Sequence, residues 1–189
     1  MQRKLVLGLV VLSFFVSGKV FAQDTKKGKT KKAEASLTKV TDLYPNDMGP
    51  AEIDVSGYPK EHRQAYRVFT FKCAACHTIA RPINSQFLEL TAAEIAKAKK
   101  DDPELFKDPK LTMPEEMVWN RYVKRMMSKA GCPVKKEDGK PIWEFLVYDS
   151  KIRKTGENGK EFRKARAQLL HEFKEHHPDG YERIFGAEK

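Results

Sequence analysis

The chain has 189 residues, 40% of them hydrophobic, with 36 Lys and Arg against 26 Asp and Glu for a formal charge of +10. That length suits one domain with tails and excludes a large multi-domain enzyme. The apolar fraction allows a modest core, and charge alone does not choose among nucleic acid, anionic lipid and acidic protein as partners.

Arg3 and Lys4 precede an uncharged run from Leu5 to Gly18, followed by Val20-Phe21-Ala22. A basic start, a short apolar stretch and small residues at a cleavage point read as a secretory signal peptide over residues 1–22, with an uncleaved anchor as the second choice. Cleavage after Ala22 removes Arg3, Lys4 and Lys19 and leaves a charge of about +7 by the same counting. It places the protein in the periplasm with no integral membrane span. Residues 23–50 form a Lys-rich flexible segment: Lys26, Lys27, Lys29, Lys31 and Lys32 repel one another, and Pro45, Asn46, Gly49 and Pro50 read as loop.

The expected body of the protein is residues 51–155. Pro59 opens a helical pattern through Glu61, Ala65, Tyr66 and Phe69 toward Cys73. Pro82 and Asn84 break it. Thr91, with Glu94 three residues on, predicts a capped helix to Lys100. Turns around Pro103 and Pro109 lead to a helix predicted from Pro114 to Ala130. There Trp119, Tyr122, Val123, Met126 and Met127 share a face, with Asn120, Arg121, Lys124 and Arg125 largely opposite. Gly131 and Pro133 end it. A turn at Asp138-Gly139 precedes a helix from Pro141 to Lys154 that buries Ile142, Phe145 and Leu146. The remainder, 156–189, is a charged helical extension: a turn over Gly156–Gly159, then a helix over 160–176 striped by Phe162, Leu169 and Phe173. No strand-like alternation is present, so the fold class is all-α.

The chemistry concentrates at Cys73-Ala74-Ala75-Cys76-His77, the attachment signal for a c-type haem. Two thiols add to the two vinyl groups, and an imidazole binds iron from the same side. On a helix these three residues fall at i, i+3 and i+4, on one face. A disulfide between the two cysteines would leave His77 idle. Zinc would need two further ligands, from Cys132 and distant histidines. With His77 as the fifth iron ligand, the residues leave the sixth open among Met48, Met113, Met117, Met126, Met127, His62, His171, His176 and His177. No carboxylate dyad, nucleophile triad or phosphate loop is present.

The run Cys73-Ala74-Ala75-Cys76-His77-Thr78-Ile79, then Asn84-Ser85, Trp119-x-x-x-Val123-x-x-Met126 and Ile142-x-x-Phe145-Leu146-x-Tyr148 resembles small exported monohaem cytochromes c over about residues 58–155. The resemblance implies a small helical domain around one haem c held through Cys73 and Cys76. Met126 matches the axial methionine, with Met127 one residue away as competitor. A His/Met set leaves no open coordination position, which implies an electron carrier rather than an enzyme. The carrier would dock weakly on redox proteins with acidic patches, and nucleic acid is a poor partner for an exported chain. Arg121, Lys124 and Arg125, with Trp119 and Tyr122, are candidates to hydrogen-bond haem propionates, although outward solvation is the commoner fate of such cations. The rival readings are a haem enzyme or gas sensor with a weakly capped distal side, and a cytochrome subunit of a larger redox complex docking through its C-terminal helix. Gly131-Cys132-Pro133 departs from the Gly-Ser-Gly-like turn common in that family and leaves a lone thiol.

Overall fold

The computed structural model describes residues 43–186. The expected signal peptide and most of the Lys-rich segment lie outside them. The described chain is mostly helical: α1 (Lys60–Cys73), α2 (Ala80–Ile83), α3 (Ala92–Asp101), α4 (Val118–Met127), α5 (Lys136–Lys154), α6 (Gly156–His176) and α7 (Pro178–Phe185). Two short strands, β1 (Phe87–Glu89) and β2 (Met113–Glu115), pair in parallel with Leu88 opposite Pro114. No described helix is long and apolar enough to cross a membrane.

The core forms where α1 lies on α5. Phe69 and Tyr66 meet Phe145 at ring-centroid distances of 5.5 and 5.4 Å, and Phe145 is 0% exposed. Ala65, Val123, Ile142 and Leu146 fill the same core, with Trp119 from α4. Such aromatic pairs add about 0.5–1.5 kcal/mol to the burial of their area. His62 is committed to the same seam, stacked on Tyr148 at 4.2 Å. Leu88, Leu90 and Leu105 make a smaller cluster beneath α3. That helix opens with the expected box: Glu94 N–H donates to Thr91 Oγ1 at 3.3 Å and Thr91 N–H to Glu94 Oε2 at 2.8 Å.

Four segments depart from the sequence expectations. Residues 113–115 are strand rather than helix; Pro114 lacks only a donor that an edge strand need not supply. α4 starts at Val118, after Met117 with a left-handed φ of 58°, because Glu89 provides the acceptor for its first turn. The Glu89 carboxylate takes N–H groups from Trp119 (2.8 Å) and Asn120 (3.3 Å) and the Trp143 indole N–H (3.1 Å). α5 begins five residues before Pro141, through the predicted Asp138-Gly139 turn. Asp138 accepts the Lys135 N–H at 2.8 Å and pairs with Lys72 of α1, so the start is held from outside and Pro141 removes only one helical bond on the second turn. Gly156–Gly159, expected as a turn, is the first turn of α6, and α7 follows it unforeseen.

Glu89 joins β1, α4 and α5 while 7% exposed. Glu89→Ala should destabilise the protein by about 2–3 kcal/mol, the cost of orphaning buried donors. Urea unfolding followed by tryptophan fluorescence measures it, and a change under 0.5 kcal/mol would contradict this role.

Candidate functional site

α1 stops at Cys73, and Ala74–Cys76 form a turn rather than another helical turn, so Cys73, Cys76 and His77 converge through the bend and not along one helix face. The bend is fixed from the opposite side by Asp47, in a 3-10 turn over Pro45–Met48. Its side chain, 2% exposed, accepts Thr78 Oγ1–H at 2.5 Å and the Arg81 guanidinium at 2.6 Å. Burial pushes the Asp47 carboxyl up, but the bonds from Arg81, Thr78 and the Tyr44 N–H outweigh it and hold the group below the usual carboxylate range.

Directly after this brace, His77 Nδ1 lies 2.8 Å from Thr78 O. With a carbonyl as partner, Nδ1 carries the proton and Nε2 keeps its lone pair for a ligand-accepting ion.

Cys73, Cys76, His77, Met126 and Met127 all line one cleft of about 550 Å³, walled by apolar side chains that include Phe69, Val123, Ile142 and Leu146. A second, wider and more open chamber shares Cys76, His77, Tyr122, Met126 and Lys129 with it. Met126 and His77 thus line both chambers. Met127 lines only the narrow one of the two, and its sulfur rests on the bare backbone of α5: a Cβ at Gly139 would lie 2.7 Å from its Sδ. A close approach of that kind is what the glycine permits.

The other candidate ligands, His62 and His176 included, line neither chamber. Met48 lies in the 3-10 turn, Met113 in β2, and Met117 is exposed before α4. His171 sits 3.6 Å from Glu175, and His177 packs on Phe173 at 5.2 Å. Of the cations proposed for haem carboxylates, Arg125 lines the wide chamber, whereas Arg121 pairs with Glu115 and Lys124 borders a separate groove. Trp119 is buried among Phe87 and Tyr122, with its Nε1 lacking a protein partner.

Cys132 lines the narrow cleft with the two motif cysteines. Burial, then the neighbouring Cys132 and Cys76 thiols, push the Cys73 thiol up to about 12, so it is protonated at neutral pH and unlike an activated redox thiolate. Among the described residues, no three His, Cys, Asp or Glu side chains are grouped to hold a metal ion by themselves. Sequence reasoning missed Asp47, whose Pro-Asn-Asp setting reads as an ordinary turn, and Arg166 of α6, which also lines the wide chamber.

No family model, no curated protein and no solved structure matches this chain.

The Asp47 brace predicts an acid sensitivity. Its carboxyl is depressed in the folded state, so its contribution is complete above the unfolded value near 4 and is lost as pH falls through the lower folded value. The stability gap between the parent and Asp47→Asn should therefore be widest near neutrality and close as pH falls below about 4. Chemical unfolding across pH 2–7 measures it; a gap that grows with acid would contradict the assignment.

Proposed function

We propose that this protein is an exported monohaem cytochrome c that carries single electrons between redox proteins. The observation that carries the reading is the meeting of Cys73, Cys76, His77 and Met126 on one apolar cleft, with His77 Nδ1 engaged by Thr78 O. The donor set fits the group: two thiols from a Cys-x-x-Cys-His run, an imidazole with Nε2 available, and a thioether across the cleft. Cys73 and Cys76 would hold the porphyrin by thioether bonds, and His77 and Met126 would be the axial ligands. Haem supplies one-electron Fe(III)/Fe(II) chemistry, with the potential raised by methionine relative to a second histidine.

The chain's own residues set the conditions for that chemistry. Phe69, Val123, Ile142 and Leu146 keep the cleft apolar and exclude water. The Asp47 brace holds the His77 turn in place, and the Thr78 carbonyl keeps the proton on Nδ1. With the Met127 sulfur packed against Gly139, Met126 is the methionine that shares both chambers with His77. A site closed on both sides by fixed ligands suits electron passage and offers no place for a substrate. The positive charge of the chain suits brief, salt-sensitive docking on acidic partners.

Met126→Ala should abolish the weak sulfur-to-iron band at the red end of the oxidised spectrum, lower the potential and let the reduced protein take up carbon monoxide. Met127→Ala should keep the band and refuse carbon monoxide, as the parent does. Visible spectra of the purified variants decide it: loss of the band in Met127→Ala alone would overturn the distal assignment, and avid carbon monoxide binding by the parent would favour a haem enzyme or gas sensor.

A further inference from the structure

The α6–α7 segment lies beyond the part of the chain that resembles cytochromes c, yet Arg166, Ile184 and Phe185 line the wide chamber beside His77 and Met126. Arg166 is 2% exposed. Its guanidinium donates to Asn46 Oδ1 at 2.5 Å, Lys110 O at 3.1 Å, Gln86 Oε1 at 3.2 Å and Asn84 O. All four acceptors are neutral, so the cation has no hydrogen-bonded carboxylate among the described residues. These bonds use four of its five N–H groups and leave one on Nη2.

A buried cation whose hydrogen-bond acceptors are all neutral is expensive to keep, and the Asp108 carboxylate acts on this one through space, without a hydrogen bond to it. Burial pushes this guanidinium down to about 10, which still leaves it charged at neutral pH. Arg125 and Lys129, both exposed, stand on the same chamber. Arg81 is engaged by Asp47. Ile184 and Phe185 bring apolar surface from α7, whose Phe185 ring lies 5.8 Å from Lys110 Nζ.

We infer that the C-terminal extension completes the prosthetic-group site: Arg166, with Arg125 and Lys129 at the rim, seats the carboxylate-bearing edge of the group, and Ile184 and Phe185 cover it. This rests on the haem reading above and assigns the extension to the cofactor rather than to a partner. The two propionates carry negative charge, and the remaining Nη2–H of Arg166 can donate one charge-assisted bond to a carboxylate. A buried cation near the iron also favours the form with one positive charge fewer, the reduced one.

The test uses the full exported chain, produced with haem ligation, and reads covalent haem per chain and reduction potential. Arg166→Met should keep its haem and show a lower potential, and Arg166→Lys should recover most of the loss. Should Arg166→Met fail to accumulate, the exposed pair Arg125→Met and Lys129→Met gives the same reading, a smaller fall in the same direction. A folded, haem-bearing Arg166→Met with the parent's potential, a Lys variant shifted as far as the Met variant, or an unmoved rim pair would overturn the seat and leave Arg166 a strut. A parent without covalent haem would overturn the cytochrome reading and the seat together.

Discussion

The contact between Phe69 and Phe145 is the constraint from which the site follows. It fixes α1 on α5 in one register and so decides where the last turn of α1 delivers Cys73. Lys72, one residue earlier, pairs with Asp138 at the start of α5, which locks the same two helices at the cleft. α4 then lies over α5 through Val123, Trp119 and the Met127–Gly139 approach, and this brings Met126 to the cleft that His77 also lines. Truncating Phe145 would remove more than a core ring: the position of the thiols, the imidazole and the thioether relative to one another depends on it.

Polar groups complete what the apolar core leaves undone. The stretch from Ala74 to Ser85 cannot be held by apolar packing alone, because it is mostly turn and one-turn helix. Asp47 pins it at Thr78 and Arg81, and Arg166 and Asn84 close it against the Pro45–Met48 turn. At the far end of α5, Arg153 binds Asp149 and the carbonyl of Ile83, and the buried Lys154 donates to Phe87 O at 2.6 Å between the Trp119 and Phe162 rings. Burial drives the Lys154 amine well below its usual range.

Much of this was legible in the sequence where local chemistry is strong. Pro59 and the Tyr66/Phe69 spacing gave away α1, the Thr91/Glu94 pair marked α3, and Ile142, Phe145 and Leu146 identified the buried face of α5. The motif cysteines and His77 were visible as a unit, although the prediction put them on a helix where the structure has a bend. What escaped was set by distant partners. The start of α5 depends on Lys72 reaching Asp138, and the start of α4 on Glu89, 29 residues before Val118 in the chain. The inward face of α6 carries Gly159, Arg166, Leu170 and Phe173, and a stripe with arginine in its middle reads as solvated. Met126 and Met127 were inseparable by periodicity, since neighbours on a helix both reach an apolar sector; in the structure the Met127 sulfur rests against Gly139 while Met126 lines both chambers.

The most direct measurement is the intact mass and pyridine spectrum of the exported chain made in a host competent in haem ligation. One haem bound through thioether links, absent when Cys73 and Cys76 are both replaced by alanine, is the predicted result. A colourless chain at the mass of the bare polypeptide would contradict the account.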